Sequence, residues 1–130
     1  MRHYDTLLET QRGPYTVIVD KTWEDLPLDH LFDTSIDPDT GRPYYDIHDM
    51  YAKIEMGDLD YFMLRTRVFY EGVELSSEYL GGMLYEDAKE CLTDGSAEDQ
   101  IWMALESAKK AAIDYKQKFA ALDVNIREDA

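Results

Sequence analysis

Residues 61–80, with the sequence YFMLRTRVFYEGVELSSEYL, decide the fold of this chain. One face of the first ten residues carries Phe62, Leu64, Thr66, Val68 and Tyr70. Arg65 and Arg67 alternate with them, which is the two-residue period of a strand with one buried face. Gly72 provides a turn, and residues 73–80 return as a second strand. This stretch therefore predicts a β-hairpin.

A second hairpin is predicted near the start of the chain. Residues 4–10 and 15–21 are rich in strand-forming side chains, and they flank the turn residues 11–14, Gln-Arg-Gly-Pro. Alternation along the second arm places Tyr15, Val17 and Val19 on the core face. It places Asp20 on the opposite face.

The segments between and after the hairpins follow other patterns. Residues 26–32 suit a short helix, and residues 33–43, with their prolines and aspartates, suit a surface loop. Apolar side chains at spacings of three and four predict a helix over residues 44–56, ending near Gly57. The Gly81-Gly82 pair predicts a bulge or a close backbone approach, before a strand end and a short helix.

The longest predicted helix begins at Ser96, which suits an N-cap with Asp99 at the capping-box position, and it runs to about Leu122. Its apolar residues alternate steps of four and three, the spacing of a seam that packs against a sheet or a partner helix. The seam consists of Ile101, Leu105, Ala108, Ala112, Tyr115, Phe119 and Leu122.

Together these elements predict an α+β fold. We expect an antiparallel sheet of about four strands, built from two β-hairpins and packed by the long C-terminal helix and short helices. Residues 1–122 are expected to form a single domain, because no linker divides them, and residues 123–130 a flexible polar tail.

Composition limits the partners and the compartment. Twenty-eight acidic and thirteen basic side chains give a formal charge of −15, which repels nucleic acid and anionic lipid, so neither is an expected direct partner. No uncharged apolar stretch approaches the ~20 residues of a membrane span, and the N-terminus lacks a signal-peptide pattern. Cys91 is the only cysteine, which favours a reducing compartment. The cytoplasm is the expected location.

The negative charge is concentrated in two blocks. Residues 20–60 hold twelve acidic and three basic side chains, and residues 71–99 hold nine acidic and one basic. Two interpretations are open: the carboxylates serve only solubility, or they present phosphate-like charges to a basic nucleic-acid-binding site. The carboxylates assigned to partner binding by the second interpretation are Glu24, Asp25, Asp29, Asp33, Asp37, Asp39, Asp46, Asp49, Glu86, Asp87 and Glu90.

Four aromatic residues, Trp23, Tyr44, Tyr45 and Tyr51, lie next to or within the first block. Aromatic side chains are enriched at binding hot spots and are equally common in cores, so both roles are open for these four.

The segment GVELSSEYLGGMLYED, residues 72–87, resembles a stretch of uncharacterised small acidic proteins from phages or plasmids. The resemblance covers a small part of the chain and brings no catalytic residue with it. The overall acidity is also similar to that of phage proteins that block host nucleases. The resemblance implies a mobile-element accessory protein.

Candidate chemistry is sparse. Asp46, His48 and Asp49 offer metal-binding side chains, but on a helix His48 lies well round from the two aspartates, which favours a solvated helix edge. Cys91 has acidic neighbours and is expected to be a small buried hydrophobe. No phosphate loop, nucleophile elbow or zinc-protease motif occurs. We therefore expect no metal, no cofactor and no enzymatic activity.

Three hypotheses follow from these observations. The first is a non-enzymatic, DNA-mimic-like inhibitor, encoded by a phage or mobile element, that occupies the basic site of a host nuclease, CRISPR or restriction complex. The second is an assembly module that forms a homodimer through residues 101–122. The third, an enzyme or metal-dependent switch at Asp46, His48 and Asp49, has the least support.

Overall fold

The computed structural model describes residues 2–122, which form one open antiparallel sheet with a long helix packed on one face. The sheet has the order β1-β2-β3-β4, with β1 (Asp5–Arg12), β2 (Tyr15–Trp23), β3 (Asp60–Tyr70) and β4 (Val73–Tyr85). The predicted α+β class, with two hairpins and a long C-terminal helix, is confirmed. The predicted tail, residues 123–130, lies outside the described residues.

Two α-helices and two short 3-10 helices complete the part of the chain that the structure describes. Helix α1 (Ile47–Met56) lies between β2 and β3 in sequence, and helix α2 (Ser96–Ala121) follows β4. The 3-10 helices cover Leu28–His30 and Ala88–Leu92. The first of them is shorter than the helix predicted over residues 26–32, because Pro27 before it has an extended backbone.

The first hairpin is tighter than predicted. The β1–β2 ladder continues to the pair Arg12–Tyr15, so Gly13-Pro14 alone forms the loop, and the predicted turn over residues 11–14 is wrong by two residues. Gln11 belongs to the strand, where its side chain accepts a hydrogen bond from Thr16 Oγ1.

The alternation predicted for β3 is confirmed from Phe62 to Val68, whereas Tyr70, at the end of the strand, is exposed. Its even-numbered side chains from Phe62 to Val68 are buried, and Arg65 and Arg67 lie on the face away from α2. Burial of each large apolar side chain contributes about 1.5–3 kcal/mol to folding. The strand therefore supplies the centre of the core.

The Gly81-Gly82 pair forms the predicted bulge and close approach. Phe62 pairs with Met83 and Leu64 with Leu80, so β4 carries one extra residue at this point. Gly82 has φ +69°, and a Cβ there would lie 2.8 Å from Leu31 Cδ1. Glycine is required because other residues rarely adopt this backbone conformation.

Helix α1 begins later than predicted. The backbone N–H groups of Tyr44 and Tyr45 donate to loop carbonyls of Ser35 and Asp33, which holds both tyrosines outside the helix. Asp46 is the N-cap, since its side chain accepts a hydrogen bond from Asp49 N. The helix ends at left-handed Gly57, as predicted.

Helix α2 begins at the predicted residue with different capping. Ser96 is its first helical residue and Gly95 its N-cap, so the predicted N-cap role of Ser96 is wrong. The Ser96 hydroxyl is instead hydrogen-bonded to the Tyr85 hydroxyl at 3.1 Å, and Asp94 Oδ1 accepts from Ser96 N at 2.9 Å. Small buried residues, among them Ala104 and Ala108, let the helix approach β3 and β4 closely.

Candidate partner-binding surface

Both long acidic connections leave the same end of the sheet. Trp23, at the end of β2, pairs with Phe62 near the start of β3, and Phe62 pairs with Met83 near the end of β4. The connection from β2 to β3, residues 24–59, and the connection from β4 to α2, residues 86–95, therefore emerge together. We call these two connections the acidic end.

The acidic end carries most of the net charge. Residues 24–59 and 86–95 together hold fourteen acidic and three basic side chains, a net −11 in a chain of net −15. Lys53, one of the three bases, is paired with Asp49 at 3.1 Å. The sequence blocks also contained Asp20 and Asp60, which the structure assigns to ion pairs within the sheet with Arg65, Arg67 and Lys21.

Five predicted partner-binding carboxylates shape the local backbone. Each accepts a hydrogen bond from a main-chain N–H, at a turn, at a helix start or, for Glu24, also from β4. The five are Glu24, Asp33, Asp37, Asp46 and Asp87. Two more form ion pairs, Asp25 with Arg2 and Asp49 with Lys53. Of these seven, Glu24, through Gly82 N, and Asp25, through Arg2, join the acidic end to other parts of the molecule, and the other five order the chain locally.

The remaining four predicted carboxylates are exposed, and within residues 2–122 their side chains make no hydrogen bond or ion pair. They are Asp29, Asp39, Glu86 and Glu90. Asp29 lies in the first 3-10 helix and Glu90 in the second, so each of the two acidic connections carries one of them. These four are the carboxylates most available to a partner.

Hydrogen bonds keep parts of this surface ionised in mild acid. Bonds from the Ser35 hydroxyl and backbone N–H lower the pKa of Asp33 below its ordinary value. The Tyr85 hydroxyl, followed by Ser96, lowers the pKa of Asp94 in the same way. Both groups therefore stay negative at pH values where an isolated carboxyl begins to protonate.

The four predicted aromatic residues are at least two-fifths exposed, but they differ in their contacts. Tyr51 accepts a hydrogen bond from Leu28 N through its hydroxyl, and Tyr45 packs against Phe32 at 4.9 Å between ring centroids. Trp23 lies beneath the Arg2 guanidinium. Tyr44 is the most exposed of the four. It is accordingly the best hot-spot candidate.

The hypothetical metal site of Asp46, His48 and Asp49 is not assembled. Asp46 caps α1, and Asp49 turns to Lys53. Throughout residues 2–122 there is no group of three or more His, Cys, Asp and Glu side chains placed to hold a metal ion. Cys91 is fully buried, as predicted, and this burial, with a smaller effect of Asp94, raises its pKa to about 11.

The predicted seam of α2 is divided in two by the sheet. Ile101 and Ala108 are buried against the molecule's own strands, whereas Tyr115, Phe119 and Leu122 are exposed. Between this exposed half and the hairpin turns lies a groove of about 350 Å³. It is lined by Pro14, Tyr15, Tyr70, Val73, Leu75, Ala112, Tyr115, Lys116 and Phe119. Sequence periodicity did not predict it, because both halves of the seam have the same pattern.

The structure also contains a polar cluster that the sequence did not predict. Asp20 lies on the sheet face opposite α2, only 2% exposed, and accepts hydrogen bonds from Arg65 and Arg67. The Tyr4 ring covers the Arg65 guanidinium at 3.5 Å from its centroid. Asp20 thus pairs with both arginines of β3, and the cluster keeps a net charge of +1.

We find no protein-family model, no curated protein and no solved structure that matches this chain. The phage or plasmid origin implied by residues 72–87 therefore stays a prediction. None of the helices within residues 2–122 has the length and apolar character needed to cross a membrane.

Proposed function

We propose that this protein is a non-enzymatic, DNA-mimic-like binding protein. Its acidic end would occupy the basic nucleic-acid-binding site of a host defence or nucleic-acid-processing protein and keep nucleic acid out. The proposal places it in the cytoplasm of a bacterial host and assigns it to a phage or other mobile element, as the resemblance of residues 72–87 implies.

The observation that carries the proposal is the common exit of the two acidic connections. They contribute a net −11 of the −15 total and leave the sheet at one end, where β2 and β4 finish. Charge that served only solubility would need no such concentration, because a dispersed surface of both signs also keeps a protein soluble. A one-sided negative surface steers basic partners toward it.

The local architecture supports the same proposal. Glu24 joins the start of the first acidic connection to β4 through Gly82 N, and Asp46 and Asp87 cap helix starts, so the backbone beside the exposed carboxylates is locally ordered. Preorganised charges lose less entropy on binding than charges on a free loop. Exposed Tyr44 adds an apolar contact among them.

The test is capture of partners from bacterial lysate with the immobilised protein, followed by competition. We expect basic nucleic-acid-binding proteins to be retained at low salt and released by high salt or by added duplex DNA, because surface charge attraction is screened. A purified captured partner should then lose DNA binding when the protein is added in excess.

Two charge-matched triple variants locate the surface. Asp29→Asn with Glu86→Gln and Glu90→Gln removes three exposed charges from the acidic end. Glu9→Gln with Glu71→Gln and Glu74→Gln removes three exposed charges elsewhere. We expect about tenfold weaker partner binding for the first variant and little change for the second, since exposed charge pairs contribute up to ~1 kcal/mol each.

Equal effects of the two triple variants would contradict the proposal, because they would mean that total charge matters and its placement does not. Capture of no protein that competes with DNA would contradict it as well. A Tyr44→Ala variant with unchanged binding would remove only the hot-spot role of that side chain.

A further inference from the structure

The end of the molecule opposite the acidic end carries an apolar groove. Its walls are the hairpin turns, through Tyr15, Tyr70 and Val73, and the C-terminal half of α2, through Tyr115 and Phe119. Tyr15 and Tyr70 meet edge to face at 6.5 Å between ring centroids, and Tyr115 and Phe119 stack at 6.1 Å. The rings on both walls are thus already ordered against a neighbour.

The exposed apolar area here exceeds what folding requires. Phe119 is 65% exposed although it continues the face of α2 that packs on the sheet further back. Tyr70, Val73 and Tyr115, which also line the groove, are exposed as well. Adjacent exposed apolar side chains of this size are typical of interaction sites.

We propose that this groove is the interface of a homodimer, in which Phe119 of each copy enters the groove of the other. A two-fold interface requires a surface that is complementary to itself, with a projecting group beside a matching recess. Phe119 borders the groove and also projects from it, so one two-fold axis would bring each Phe119 ring into the recess of the other copy. The inference does not depend on the proposed function.

Charge selects a second copy at this end. Lys109 and Lys118 of α2 are paired with Glu106 and Asp114, and Lys116 lines the groove. Glu71 lies in the neighbouring β3–β4 turn and Glu74 at the start of β4. Two copies of charge −15 repel one another at their acidic ends. At the groove, Lys116 of one copy can approach Glu71 and Glu74 of the other, so this is the end where the repulsion between two copies of net −15 is smallest.

The area limits the affinity. Covering the four exposed side chains at the groove, Tyr70, Val73, Tyr115 and Phe119, would bury about 400 Å² of surface on each copy, given 150–250 Å² for a whole aromatic side chain. Standard stable interfaces bury roughly 800 Å² on each partner. We therefore expect a concentration-dependent dimer in the micromolar range and not a permanent one.

The test is sedimentation of the full chain from low to several hundred micromolar. Phe119→Glu is compared with Ile113→Glu, which adds the same charge to a similarly exposed side chain of α2 outside the groove. We expect the wild type and Ile113→Glu to have similar dimer dissociation constants. That of Phe119→Glu should be at least about 30-fold higher. Circular dichroism melting verifies that both variants fold.

Three results would overturn the proposal. A wild type that is monomeric throughout would leave the groove to a different partner or to residues 123–130. A dimer that Phe119→Glu does not weaken would place the interface elsewhere. Equal weakening by both substitutions would mean that added charge acts on association without regard to the groove.

Salt separates this inference from the proposed function. Added salt screens the repulsion between two copies of net −15 and should strengthen the dimer, whereas it should weaken binding of a basic partner to the acidic end. A dimer that the triple variant of the acidic end does not weaken would stand even if no basic partner were found.

Discussion

Asp20 and Arg65 form a two-pronged ion pair across β2 and β3, with Nε–Oδ1 and Nη2–Oδ2 distances of 2.8 and 2.7 Å. Arg67 Nη2 adds a third contact to Asp20 Oδ2 at 3.1 Å. The hydrogen bonds from Arg65 to Asp20 are also the main reason that the pKa of Arg65 is raised above its ordinary value. The pair lies on the sheet face that α2 leaves uncovered, where the Tyr4 ring packs over the Arg65 guanidinium.

Removal of Asp20 should therefore be costly. Asp20→Ala leaves two guanidinium groups without their carboxylate on a largely closed surface, and we expect the free energy of unfolding to fall by about 3 kcal/mol. Glu9→Ala, at an exposed carboxylate on the neighbouring strand, should change it by less than about 0.5 kcal/mol. Urea denaturation measures both, and similar small changes would show that Asp20 does not hold the sheet face together.

Glu24 should affect stability more than partner binding. Its two carboxylate oxygens accept from Gly82 N at 2.9 Å and Leu26 N at 3.0 Å, which joins the start of the acidic end to the bulge of β4. Glu24→Ala should lower the free energy of unfolding by about 2 kcal/mol, because two charge-assisted hydrogen bonds are lost. Asp29→Ala is the control, with an expected change near zero. A Glu24→Ala protein of unaltered stability would contradict the structural role.

Cys91 should react slowly with thiol reagents in the native state. Burial raises its pKa to about 11, so the thiolate fraction at pH 8 is about 100-fold smaller than for a thiol of pKa 9. Because the folded-state pKa is the higher one, the stabilising contribution is full below pH 9 and declines as the pH rises toward 11. Labelling kinetics at pH 8 test the first point, with Ser77→Cys as the exposed control. Equal rates at both sites would contradict it.

Tyr85 should control the ionisation of Asp94. Its hydroxyl donates to the carboxylate and is the largest cause of the lowered pKa of Asp94. Tyr85→Phe should raise that pKa toward the ordinary value, whereas Tyr79→Phe, an exposed tyrosine of the same strand, should not. Carboxyl chemical shifts followed by NMR during acid titration measure both.

The sign of the stability effect follows from the direction of that shift. Because folding lowers the pKa of Asp94, its contribution to stability is present above pH ~4 and is lost as the pH falls through the folded-state value. The free energy of unfolding of Tyr85→Phe should therefore depend less steeply on pH below pH 4 than that of the wild type. An equally steep dependence in both proteins would show that the hydrogen bond does not influence folding.

Elements with a strong local period were predictable. The alternation of Phe62, Leu64 and Val68 with two arginines identifies β3 without reference to any other strand, since side-chain direction in a strand is set by the backbone. The left-handed Gly57 likewise ended α1 where expected. Errors occurred at element ends, at Gln11 and Ser96, where competing hydrogen-bond partners decide the boundary.

The candidate surfaces were predictable only in part. Clustering of acids along the chain is visible in the sequence, but their convergence at one end depends on the antiparallel order of β2, β3 and β4. The backbone hydrogen bonds of Glu24 and Asp46 were not predicted, because the sequence does not distinguish a carboxylate that binds a backbone N–H from one that faces solvent.

By itself, the sequence determined the class of fold, the charge and the seam of α2, because each is a property of composition or of local periodicity. Only the tertiary structure decided which residues face one another: the register of β2 and β3 brings Asp20 to Arg65. The extent of the sheet likewise covers Ala108 and leaves Phe119 exposed. These relationships join residues far apart in the chain, and no local period encodes the distance between them.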